Sequence, residues 1–151
     1  MDKRAVPDRI RDLLSSAPFA VLCTQGEGQP YGSLVAFAFS EDLRSAYFAT
    51  PVSTRKYRLL SEHDRIALVI DDRPAHVDQM MEVEAVTVTG SAREVPPGPK
   101  RESCAELLEG RHPQLRSFLA ADSSAVFEIQ VFRYFHVSRF QEVSQWVPDQ
   151  S

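Results

Sequence analysis

Residues 49–60 read Ala49-Thr50-Pro51-Val52-Ser53-Thr54-Arg55-Lys56-Tyr57-Arg58-Leu59-Leu60 (ATPVSTRKYRLL). An apolar run, Ala46 to Ala49, leads into this stretch, which reads as a strand end turning into a helix of about two turns. Ser53 stands where a helix cap belongs. Residues 54 to 56 then fill the first turn, whose backbone N–H groups have no partner inside the helix. A helix start carries partial positive charge, so the cations Arg55 and Lys56 oppose it unless an anion is present. Two readings stand at this point. Arg55, Lys56 and Arg58 form a solvated helix face, or the string is an anion site in which Arg grips a phosphate bidentately and Lys adds a point charge.

Outward from this stretch the chain alternates short apolar runs with turn signals. Pro7 to Ser16 has helical spacing at Ile10, Leu13 and Leu14, with Pro7 at the first helical position. Phe19 to Thr24 reads as a buried strand, Gly26-Glu27-Gly28 as a turn, and Ser33 to Phe39 as the next strand. Glu41 to Arg44 is a second turn, and Arg65 to Ile70 a fourth strand. Asp71 to Gln79, containing Pro74, reads as a loop. Glu82 to Val95 is a long extended run whose apolar phase shifts near Ala85 and Val86, predicting a bulge there. Pro96-Pro97-Gly98-Pro99 ends it. Helices are predicted over Lys100 to Leu108 and Pro113 to Ala120. Ala125 to Val137 alternates, with Ala125, Phe127, Ile129 and Val131 on one face and Glu128 and Gln130 on the other. Phe140 to Val147 is a candidate last strand. Short connections favour antiparallel pairing, and strands apolar on both faces close most simply into a small barrel with helices plugging its ends.

Composition narrows the function classes. The chain has 151 residues, 43% hydrophobic and 25% charged, which predicts a single soluble globular domain over residues 1–151. A net charge of -4 gives no nucleic-acid footprint. No run is long and apolar enough for a membrane span, and the start MDKRAVPDRI is charged with no apolar core, so a cytoplasmic location without a secretory signal is expected. Cys23 and Cys104 lack CxxC partners, which argues against zinc or dithiol chemistry. Cys23, in an apolar run, is expected to pack as a small hydrophobe.

The run FAVLCT, the Gly turn, QPYGSLVAFAF, YFAT, STRKYRLL and RIALVID, in this order, resembles the pyridoxamine 5'-phosphate oxidase-like FMN-binding split-barrel superfamily. The resemblance covers most of the chain and is closest from about Phe19 to Asp71. It implies a mainly β fold with flanking helices, a six-stranded antiparallel split β-barrel, dimeric, with FMN at the subunit interface. It implies that Thr54, Arg55 and Lys56, with Ser53 beside them, hold the FMN phosphate. Thr50 would touch the phosphate or ribityl chain, and the backbone of Ser33, Leu34 and Val35 would line the isoalloxazine. Trp146 or Phe140 would stack near the partner's flavin; the alternative is that Trp146 anchors the tail. Arg58 inherits no role. The implied function is an FMN-dependent oxidoreductase acting on a small molecule. The alternatives are a flavin-binding electron carrier or sensor, or a haem- or deazaflavin-binding relative.

The departures bear on substrate. The true oxidases open the lining strand with Arg where this chain has Ser33, and carry Gln before a Gly where it has Ala85 ahead of Gly90. Their C-terminal Arg motif is absent from FQEVSQWVPDQS. Vitamin B6 oxidation is therefore not the expected reaction. No catalytic residue is assigned, and no metal site is expected. His76 with Asp78 lacks a third ligand. His76 and His136 are the candidate haem ligands, although His136, in the aromatic run FRYFHVSRF, also reads as a packed, hydrogen-bonded ring. Tyr57 reads as core packing.

Overall fold

The first helix, α1 (Val6–Ser16), opens on its Pro and buries Ile10, Leu13 and Leu14. Its chain end turns directly into β1 (Phe19–Gly26), which folds back on β2 (Gln29–Phe39) through Glu27-Gly28, both at positive φ as a tight hairpin requires. The computed structural model describes residues 5–139 and 141–148. After β2 come β3 (Ser45–Pro51), α2 (Arg55–Glu62), β4 (Arg65–Asp71), β5 (Ala85–Glu94), α3 (Pro99–Arg111), α4 (Arg116–Ala120), β6 (Ser124–Ser138) and β7 (Glu142–Trp146). Every strand pairing is antiparallel.

The sheet order is β3-β2-β1-β4-β5-β6-β7, and β3 also pairs with β6, so six strands close into a barrel. The length of β6 makes the closure possible. Its 15 residues run about 50 Å at ~3.3 Å each. The first half, Ser124 to Gln130, pairs with β3, and the last five residues pair with β7. The barrel interior is filled by Leu22, Phe37, Phe48, Leu68, Ile70, Val86, Val88, Ile129 and Tyr134, all fully buried. Tyr134 donates its hydroxyl proton to Leu43 O at 2.6 Å, which satisfies its one polar atom; burial also pushes its phenol well above the ordinary value. Ile10, Leu13 and Leu14 of α1 and Leu60 of α2 enter this same core. Outside the barrel, α3 and α4 bury Cys104, Leu108 and Leu119 against Ala38, Tyr47, Val95 and Val126.

The fold expected from sequence is the one observed, with local corrections. Val126 is buried, so β6 is not polar on its second face at its start; α3 and α4 cover it. The bulge lies not near Ala85 and Val86 but between Thr89 and Gly90, where Phe132 of β6 is the extra residue. The phase shift at Ala85 instead marks the start of β5, after a short turn at Met80–Glu82. A second short turn, Arg73–Ala75, breaks up the expected loop. Cys23 is only half-buried, because it points outward, and neither cysteine is in a disulfide. Phe140 lies outside the described residues.

The bulge explains Gly90. A Cβ there would come 2.4 Å from Gln130 O and 2.8 Å from Ile129 Cγ2, so the backbone itself blocks a side chain. Gly90→Ala is expected to cost about 1–3 kcal/mol, read as a lower urea midpoint at unchanged slope.

Candidate functional site

The hinge between β3 and α2 is held by hydroxyl groups. The cap is Thr54, not Ser53 as expected: Thr54 Oγ1 accepts from the Tyr57 N–H at 3.2 Å and donates to Pro51 O at 2.9 Å. Thr50 Oγ1 lies 2.9 Å from Thr54 Oγ1 and, since the Thr54 proton is committed to Pro51, donates to it. Thr50 has no exposed surface and meets Thr54 through this hydroxyl contact. The hydroxyl of Thr54 is likewise fully used in the cap. The cap moved by one residue because Pro51 O sits within reach of position 54, a turn geometry that local sequence does not specify.

This leaves Ser53, Arg55 and Lys56 facing outward. Ser53 and Arg55 are exposed and Lys56 is half-buried. The first-turn N–H groups of Arg55 and Lys56 have no acceptor among the described residues. The Arg55 guanidinium sits over the Tyr31 ring, 5.4 Å from its centroid. The Lys56 ammonium has no hydrogen bond or ion pair among the described residues, and desolvation pushes it below the usual lysine range. A half-buried cation without a counter-charge, beside two unused N–H donors, is a pre-formed anion cradle. Arg58 is exposed on the outer helix face, between Arg55 and Glu62.

Strand β2 connects this cradle to a second feature. From Gln29 to Ala36 it pairs only with β1, and its ladder with β3 covers Phe37 to Phe39 alone. Beyond Phe48, β3 has no β2 partner, although its other edge pairs with β6 along all of Ser45 to Pro51. The two strands therefore diverge, and the β2 edge carrying Ser33, Leu34 and Val35 has no ladder partner among the described residues. Leu34 is 70% exposed, while Ser33 Oγ is buried with no hydrogen bond. Tyr31 to Leu34 spans three residues, about 10 Å. The open β2 edge, with its free backbone groups, thus lies about three strand residues from the Arg55 side chain over Tyr31.

The helix is tied down from below. Tyr57 packs its edge on Phe127, with centroids 5.9 Å apart, and donates its hydroxyl proton to Glu94 at 2.7 Å; that bond raises the phenol pKa. Leu59 fills the space over Gly26, where a Cβ would meet Leu59 Cδ2 at 2.4 Å.

Other sequence candidates lie apart from this cradle. Trp146 is half-buried against its own core, 5.5 Å from the Tyr134 ring, which is the tail-anchor arrangement. His136 is 1% exposed, with Nε2 at 2.8 Å from Glu84 Oε1, and Glu84 also accepts from Arg9 at 2.8 Å. The packed-ring reading of His136 holds. His76 Nε2 is 3.4 Å from Asp72. No cluster of three metal-ligating side chains exists among the described residues, and no helix among them is long and apolar enough to cross a membrane. Tyr31 and the Arg9–Glu84–His136 group were missed from sequence, because each joins residues from distant strands that carry no local motif.

Known proteins give the same fold. A haem binding protein from Mycobacterium smegmatis superposes with a TM-score of 0.85 at 17% identity, over 97% of this chain and 60% of that one. An FAD-binding protein from Mesorhizobium loti superposes with a TM-score of 0.70 at 15% identity, over 88% of this chain and 94% of that one. A 5a,11a-dehydrotetracycline/5a,11a-dehydrooxytetracycline reductase of Streptomyces rimosus subsp. rimosus is 31% identical over 107 residues, 67% of this chain and 73% of its own length. The model of the pyridoxamine 5'-phosphate oxidase family matches residues 6–138. With the barrel fold and the matched sequence in agreement, this chain belongs to the pyridoxamine 5'-phosphate oxidase family.

Proposed function

We propose that this chain is an FMN-dependent oxidoreductase acting on a small molecule, and that it works as a homodimer with the flavin between subunits. The observation that carries the reading is the unpaired, half-buried Lys56 ammonium beside the free N–H groups of residues 55 and 56. A phosphate monoester would supply the missing counter-charge. Arg55 and Lys56 would hold the phosphate, with Ser53 as a further donor, while Thr50 and Thr54 keep the helix start in place. Ser33, Leu34 and Val35 would offer backbone to the ring, and the buried Ser33 Oγ has a hydrogen bond to give. The residues present thus fit FMN. When bound, a flavin supplies hydride and electron transfer; the chain's part is to bind, orient and exclude water. The reductase named among the relatives supports the reaction class.

The dimer reading rests on the outer barrel face. Phe19 and Leu34 are exposed beside half-buried Val21, Cys23, Ala67 and Val69, and none of the described elements covers them. An uncharged face of this kind on a soluble barrel suits a second copy. Haem is the weaker reading, since Glu84 and Asp72 engage Nε2 of His136 and His76.

Flavin fluorescence titration tests the assignment. Lys56→Ala is expected to weaken FMN by roughly tenfold to a hundredfold, the scale of one charged hydrogen bond, and to leave riboflavin unchanged. Because an anion binds the protonated amine, FMN affinity in the parent protein should fall as pH rises through the lowered Lys56 pKa. Equal losses for FMN and riboflavin would remove the phosphate assignment.

A further inference from the structure

The Arg55 guanidinium shares a cavity with two carboxylates. This cavity, of about 320 Å³, lies between the β1–β2 turn and α2, and Glu27, Arg55, Arg58 and Glu62 are among the residues lining it. An Arg beside carboxylates commonly pairs with one of them in a fork. The Arg55 side chain makes no ion pair or hydrogen bond among the described residues; its Cζ rests over the Tyr31 ring, 5.4 Å from the centroid.

Tyr31 is fixed to the barrel wall. Its backbone stands opposite Thr24 of β1, and the buried Thr24 hydroxyl donates to Tyr31 O at 3.2 Å. Side chains alternate along a strand, so Tyr31 shares a face with Ser33 and Val35, while Leu34 points the other way, to the face given to the second copy. The ring thus stands on the cradle's side of β2. The kind of contact it makes with Arg55 matters. A ring under a guanidinium meets its flat face, and the five N–H donors in the guanidinium plane stay free. A carboxylate would take the same donors that a phosphate needs.

We propose that Tyr31 is a positioning residue for the phosphate site: its ring holds the Arg55 guanidinium away from Glu27 and Glu62 and keeps the donor fork open for a phosphate monoester. Tyr31 thereby sets the preference for a phosphorylated flavin over an unphosphorylated one, through Arg55 and without touching the ligand. The role rests on the flavin reading and adds to it the group that keeps the phosphate-binding Arg uncommitted.

The test is titration of FMN and of riboflavin into the parent protein, Tyr31→Leu, Tyr31→Phe, Arg55→Ala and the Tyr31→Leu, Arg55→Ala double variant. Tyr31→Leu is expected to weaken FMN by about twofold to fivefold, the scale of an exposed cation–π contact, and to leave riboflavin unchanged, which also shows that the variant is folded. Tyr31→Phe keeps the ring and should match the parent protein. In the Arg55→Ala background Tyr31→Leu should have no further effect, because the ring acts through the guanidinium. Parent-like FMN affinity in Tyr31→Leu, a loss that riboflavin shares, a loss that Tyr31→Phe shows equally, or a loss that persists without Arg55 would each overturn the role and leave the flavin reading standing. A parent protein that binds riboflavin as tightly as FMN defeats the phosphate assignment itself, and the role of Tyr31 with it.

Discussion

Phe127→Ala is expected to destabilise the protein by about 3–5 kcal/mol, the range for deleting a buried aromatic ring. Phe127 is 2% exposed and pairs in register with Phe48, their rings stacked at 5.2 Å and 3°. It closes the β3–β6 seam of the barrel. It is also the surface on which Tyr57 rests. The variant should therefore show a second effect: below its unfolding transition, FMN affinity should fall, because α2 loses its support and the Arg55 and Lys56 N–H groups lose their fixed direction. Urea unfolding and flavin titration at low temperature read the two effects separately. A variant that is destabilised but keeps full FMN affinity would show that the cradle does not depend on this seam.

The second large effect is expected at Glu84. Its Oε1 accepts from buried His136 and from Arg9 of α1, so one carboxylate ties the first helix to two strands. Glu84→Ala takes this acceptor from both. Removing one partner of a buried charged network costs about 3–5 kcal/mol. Glu84 is 28% exposed, which reduces its share to about 2–3 kcal/mol. The Glu84→Leu, His136→Phe double variant should recover much of the loss, since replacing both partners by apolar groups of similar size is nearly neutral. Thermal unfolding of the single and double variants measures this. Additive losses would mean that the two side chains are not coupled.

The cradle and the fold were legible to different degrees. Arg55 and Lys56 could be singled out because a charge of the wrong sign at a helix start is a local anomaly, visible without tertiary contacts. Thr54 could not be told from Ser53 as the cap, since both are good cap residues and the choice depends on where Pro51 O lies. Phe132 gave no bulge signal, because a bulge is a mismatch between two strands and only the pairing of β5 with β6 exposes it.

By itself the sequence determined what depends on neighbours along the chain: where strands run, where glycine and proline turn them, and which helix start carries unbalanced cations. Period and turn chemistry are short-range, so a single chain carries them in full. The tertiary structure alone decided what depends on where strands part. Strands β2 and β3 pair only where Phe37 to Phe39 meet Ala46 to Phe48, while β3 keeps β6 on its other edge throughout, so the rest of the β2 edge, with Ser33 to Val35, stays open. A site made by a missing strand pairing is a property of the whole barrel, and no local stretch of sequence encodes it.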